Sequence, residues 1–163
     1  MSEILHLLHH LEKRQFAAGD IILEQDKNSG LLFFLLEGTV EVVKDDVQVA
    51  TASQPGAVFG EMSVLLGVPH TANVRALGPC VFYAVENPRA FLESSPLITL
   101  HVCELIARRL DTMNRYLVDV RQQLASSDHI GLVDGVLATL LHRQPAKRTR
   151  PSDSTIRQGE VAD

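Results

Sequence analysis

FGEMSVLLGVPHTANVRA, residues 59–76, interrupts an otherwise β-rich pattern, and the fold is read outward from it. Gly60 to Gly67 has too little strand character, and the right length, for one short helix, after which Pro69-His70-Thr71-Ala72-Asn73-Val74-Arg75 leads back into an extended run. Short apolar runs lie on either side: Ile21–Leu23, Leu31–Leu36, Val40–Val43, Val47–Ala50 and Ala57–Phe59, then Val74–Leu77 and Val81–Val85. Turn residues separate them, at Gly19-Asp20, Asn28-Ser29-Gly30, Glu37-Gly38, Asp45-Asp46, Gln54-Pro55-Gly56 and Gly78-Pro79. This spacing predicts a mainly β unit, a barrel, sandwich or roll, with one helix inserted between strands. Such an insertion is a candidate site, because a connection held by a rigid scaffold is where binding groups are displayed.

Helical periodicity flanks the β region. Ile4, Leu5, Leu7, Leu8 and Leu11 fall mostly on one helical face ahead of Glu12-Lys13-Arg14, which predicts an amphipathic helix from residue 3 to about residue 13. Asn87-Pro88 starts a short helix reaching about Ser95, and Ser95-Pro96 starts a long one. Along the long helix Cys103, Ile106, Leu110, Met113, Leu117, Val120 and Leu124 recur at steps of three and four, with charged and polar residues between them. That a/d stripe predicts a homodimer paired through residues 97–124, since a helix lying on its own domain shows a wider, less regular apolar face. The expected organisation is a helix within 1–15, the β unit over 16–87, the two helices over 88–125, a short apolar helix over 126–143 and a flexible polar tail over 144–163.

Composition limits the function. The 163 residues, 45% hydrophobic, suffice for one packed core. A net charge of −5 lacks the positive field of non-specific nucleic-acid binding, so no direct DNA binding is expected, and the small basic cluster Lys147-Arg148-Thr149-Arg150 reads as solvated tail. Cys80 and Cys103 are too far apart for a zinc, iron–sulfur or redox motif, which fits a reducing cytoplasm, and Cys103 reads as a small core residue at a heptad position. No stretch has the length of a membrane span and Met1–Arg14 carries no signal-type apolar run, so a soluble cytoplasmic protein is expected. His6 and His10 have the i,i+4 spacing of a metal pair but no third ligand, so no metal and no haem are expected. Nothing in the chain resembles a catalytic triad or a paired-carboxylate site, and no enzyme activity is expected.

The inserted segment has its own chemistry. Phe59-Gly60-Glu61 brings a flexible glycine and a carboxylate to a helix start, and His70 and Thr71 add an imidazole and a hydroxyl. Free amides and the helix dipole favour an anion, whereas Glu61 favours a hydroxyl donor; a sugar phosphate meets both demands. A purely structural corner, with Gly60 and Gly67 as turn residues, accounts for the same residue types, and chemistry alone leaves both open.

On these residues, 59–76 resembles the phosphate-binding cassette of the cyclic nucleotide-binding domain family, in which Phe-Gly-Glu, an aliphatic, Ser or Ala, and Leu precede Pro-Arg-Ser/Thr-Ala-x-Val. Phe16-Ala17-Ala18-Gly19-Asp20-Ile21-Ile22 and Phe33-Phe34-Leu35-Leu36-Glu37-Gly38-Thr39-Val40-Glu41-Val42 are similar to the family's β-roll signatures, and Ala107-Arg108-Arg109-Leu110 to a point on the long helix of its catabolite activator protein branch. The resemblance covers residues 16 to about 125. It implies a jelly-roll-like β-roll (a double-stranded β-helix) that holds a cyclic nucleotide, cyclic AMP first, under a long dimerisation helix. Carried over by position, Glu61 accepts from the ribose 2′-hydroxyl, Gly60 lets the backbone approach the sugar, and Thr71 and the Ala72 amide touch the cyclic phosphate. Phe59, Met62 and Ser63 complete the cassette's contacts.

The chain departs from the family at two points. His70 stands where the family has an arginine on the phosphate, a change that costs about 1.5–3 kcal/mol if uncompensated. If His70 takes over that role, its cationic form binds, and affinity strengthens as pH falls through about 6.5. Met113-Asn114 replaces the branch's Thr-Ser pair at the adenine, leaving Asn114 to reach a base edge. Fewer than forty residues follow Leu124, too few for the branch's helix-turn-helix domain. The reading is a regulatory sensor with an output partner still to be named; the alternative is a ligand-independent dimerisation module of the same fold.

Overall fold

Each of the seven apolar runs is a strand in the computed structural model, which describes residues 2–123. The order is α1 (Ser2–Leu8), β1 (Glu12–Phe16), β2 (Ile21–Leu23), β3 (Leu32–Glu37), β4 (Val40–Lys44), β5 (Val47–Ala52), β6 (Val58–Phe59), α2 (Glu61–Leu66), β7 (Asn73–Ala76), β8 (Cys80–Val85), α3 (Pro88–Ser94) and α4 (Pro96–Gln123). The strands form two four-stranded antiparallel sheets, β1-β8-β3-β6 and β2-β7-β4-β5. Asp45 and Asp46, both at positive φ, close the hairpin between β4 and β5, as a tight turn requires and aspartate tolerates.

The run Leu32-Phe33-Phe34-Leu35 is continuous rather than alternating because β3 is buried on both faces. Phe33 and Leu35 join Ile22, Leu23, Val40, Phe59, Val74 and Phe82 in a core drawn from both sheets. Phe16, Phe33, Phe59 and Phe82 meet there edge-on, with ring centroids 5.7 to 6.1 Å apart. Leu32 and Phe34 point the other way, and with Tyr83 and Val85 they receive Leu8 of α1, Leu92 of α3, and Ile98 and Val102 of α4.

The N-terminal helix is shorter than expected. It ends at Leu8, and Glu12-Lys13-Arg14 is strand, paired to Ala84, Tyr83 and Phe82 of β8. The cause is tertiary: buried β8 needs hydrogen-bond partners on both sides, and a charged β1 supplies one while leaving a sheet edge that resists further pairing.

The chain divides into two units, Met1–Leu110 and Asp111–Asp163, with the division inside α4. In the first, Ile98 and Val102 are buried, whereas Leu97, Leu100, Cys103 and Leu110 are exposed. Cys103 is therefore not part of the domain's core, because the face that α4 packs, through Ile98, Val102, Leu105 and Ile106, lies to one side of it. In the second, Met113 is exposed and Leu117 and Val120 are half-buried. Leu124 and the expected segments 126–143 and 144–163 lie outside the described residues. No single helix among the described residues is long and apolar enough to cross a membrane.

Candidate ligand-binding site

The site begins where β6 ends. Gly60 turns the chain with φ 90°, and a Cβ there would lie 2.7 Å from the Leu31 carbonyl oxygen. Glycine is thus demanded by the approach of the backbone just before β3, independently of any ligand. The turn places Glu61 as the first residue of α2 and buries it to 4% exposure. At the far end of α2, Gly67 at φ 68° donates its N–H to the Ser63 carbonyl, and the Ser63 hydroxyl donates to the Val68 carbonyl at 2.6 Å. Ser63, expected among the ligand contacts, closes the helix instead.

A buried carboxylate needs a partner, and α4 supplies one. Arg109 donates through Nη1 to Glu61 Oε1 and through Nη2 to the Val58 carbonyl at 2.7 Å, and its guanidinium lies 5.9 Å from the Phe59 ring centre. Burial pushes the Glu61 carboxyl above its ordinary pKa, and the Arg109 charge pulls against that without cancelling it.

His70 is used differently from the expected phosphate-bound cation. It is buried at the other end of the segment, against the loop between β2 and β3, where the Ser29 N–H donates to Nε2 at 3.1 Å and the Ser29 hydroxyl lies 2.8 Å from the same nitrogen. Its backbone N–H donates to the Lys27 carbonyl, and its backbone carbonyl accepts from the Asp26 N–H, both at 2.8 Å. A nitrogen that accepts an N–H carries no proton, so this geometry specifies the neutral ring, and burial lowers the His70 pKa in the same sense.

The structure therefore joins Phe59, Gly60 and Glu61 to Val58 and Arg109, and sends His70 elsewhere. Met62 and Thr71 are exposed and Ala72 is half-buried. Asn114, in the second unit, has a buried Oδ1 without a hydrogen-bond partner among the described residues. Sequence reasoning missed Arg109 and Ser29 as partners. Arg109 lies in the Ala107-Arg108-Arg109-Leu110 motif, but its contact with Glu61 spans 48 positions; Ser29 reads as an ordinary turn residue. Two open grooves of about 520 and 610 Å³ lie elsewhere on the first unit, lined by residues such as Asn28, Ser63 and Arg89, and His10, Asn87 and Phe91; neither includes Glu61. Among the described residues no group of His, Cys, Asp and Glu is arranged to hold a metal.

Two antiparallel sheets closed around an aromatic core, with a short helix presenting a buried glutamate and a long helix following, define a β-roll. Residues 13–93 match the cyclic nucleotide-binding domain family, and this part of the chain belongs to it. A cAMP-dependent protein kinase regulatory subunit of Yarrowia lipolytica is 31% identical over 81 residues, half of this chain and 21% of that protein, so the chain spans about a fifth of that relative's length. The catabolite activator protein of Thermus thermophilus superposes with a TM-score of 0.58 at 21% identity, over 87% of this chain and 82% of that one. The regulatory domain of Toxoplasma gondii PKA, solved with cAMP, gives 0.50 at 22% identity, over 63% and 39%. At these identities the two structures establish likeness of fold.

Proposed function

We propose that the chain is a regulatory sensor, not an enzyme, that binds a cyclic nucleotide, cyclic AMP first, in the β-roll and signals through α4 in a homodimer. The observation that carries this is Glu61, a buried carboxylate held at a glycine corner inside the family's segment. Arg109 already donates to one of its oxygens, and a ribose hydroxyl is a suitable further donor. Thr71 and the Ala72 amide are the candidate phosphate contacts. Similarity to a kinase regulatory subunit and to a cAMP-bound regulatory domain supports the ligand class. The exposed Leu97, Leu100, Cys103 and Leu110 support pairing, since an exposed apolar row on a long helix gains by burial against a second copy. Ligand would act by favouring one disposition of the paired helices over another.

The alternative, a ligand-independent dimerisation module, is favoured by the neutral, inward-turned His70 and by Arg109 already occupying Glu61. Thermal unfolding with cyclic AMP, cyclic GMP, cyclic di-GMP and AMP separates the two. A ligand at about a hundred times its dissociation constant adds roughly 2.7 kcal/mol and raises the midpoint by several degrees. Mild oxidation of the same samples reports pairing, because a parallel pair brings one Cys103 beside the other. A shift with a cyclic nucleotide but not with AMP supports the sensor. No shift with any of them, together with a Cys103-linked dimer, supports the dimerisation module; neither shift nor dimer rejects both.

A further inference from the structure

We propose that Arg109 is the residue that binds the ligand's anion, so that the site selects a nucleotide pairing a hydroxyl for Glu61 with a phosphate for Arg109. This rests on the cyclic-nucleotide reading above and names the group that completes it. Within residues 59–76 the side chains able to carry positive charge are His70 and Arg75. His70 spends its Nε2 lone pair on Ser29, and Arg75 is ion-paired to buried Glu41, directly opposite it across β4 and β7. Neither is a polar partner of Glu61.

Arg109 is that partner. Its guanidinium has five N–H donors, and those on Glu61 and Val58 use two. The side chain is 46% exposed although its carboxylate partner is buried, so part of it is open to a ligand. A planar fork can hold a carboxylate on one edge and a phosphate on another, which an ammonium or an imidazole cannot. A ligand hydroxyl can share Glu61 while its phosphate takes the free donors of Arg109. A nucleoside without phosphate offers only the first contact.

The test is calorimetric titration of the full chain with cyclic AMP and with adenosine, for the wild type, Arg109→Gln and a control, Arg89→Gln, whose exposed side chain pairs with Glu93. The wild type and the control should prefer cyclic AMP by about ten- to a hundredfold, the range of a charge-assisted hydrogen bond, and Arg109→Gln should reduce that preference to about threefold or less. If Arg109 only props up Glu61, both ligands weaken together and the preference survives, which overturns the proposal. Equal binding of the two ligands by the wild type also overturns it. Binding of neither ligand by the wild type removes the cyclic-nucleotide reading and this inference with it. Should Arg109→Gln not fold because Glu61 is left uncompensated, the double variant Glu61→Gln/Arg109→Gln replaces the ion pair by a neutral amide pair, and the same ratio is read.

Discussion

At the leading corner of α2, Gly60 delivers Glu61 toward α4, where a half-exposed arginine meets it. At the trailing corner, Pro69 and His70 turn toward the loop between β2 and β3, and the imidazole is spent on Ser29. One end thus holds a charged pair with donors to spare, whereas the other holds a neutral group with its acceptor used. The contrast shows that equivalent positions in a binding segment do not keep equivalent duties: a titratable side chain binds ligand only if the scaffold leaves it a free donor or acceptor. It also gives the two ends opposite pH signs. Glu61, with a raised pKa, contributes stability that is present in acid and lost as pH rises through its folded value; His70, with a lowered one, does the reverse.

The largest expected effect tests the leading corner. Gly60→Ala must place a Cβ against the Leu31 carbonyl at positive φ, and should cost about 3 kcal/mol or more in urea unfolding. A cost under about 1 kcal/mol would mean that the corner relaxes and does not hold Glu61 in place. Next comes His70→Asn, which cannot reach Ser29 and should cost about 1–2 kcal/mol at pH 7.5. The His70 contribution is present above its ordinary pKa near 6.5 and is lost as pH falls through the lower folded value, so the gap between wild type and variant should close toward pH 5. A gap that widens in acid would return His70 to the role of cation. The smallest effect is Gly67→Ala: its φ is also positive, but no atom lies within 4 Å of the added Cβ, so about 1 kcal/mol is expected. A penalty equal to that at Gly60 would show that backbone strain, not the approach of the Leu31 carbonyl, governs both corners.

Much of this architecture was legible because it is local or periodic. Seven apolar runs, the helix between Gly60 and Gly67, and the starts at Pro88 and Pro96 follow from spacing and turn chemistry. The N-terminal boundary was not, because Glu12-Lys13-Arg14 has no strand signature of its own and becomes β1 only through β8. The a/d row of α4 was visible, but not that the domain packs the adjacent face and leaves Cys103 exposed. At the site, the roles of Glu61 and Arg109 in one ion pair were hidden because a contact across 48 positions leaves no trace in spacing.

The sequence by itself determined the kind of element at most of the described positions, the glycine corners and the family segment, since these depend on side-chain period and allowed backbone angles over a few residues. Only the tertiary structure decided which polar groups meet: Glu61 with Arg109, His70 with Ser29, Glu41 with Arg75. The physical reason is that burial obliges each such group to find a partner, and which partner lies in reach is set by how the sheets and helices pack, not by the order of residues along the chain.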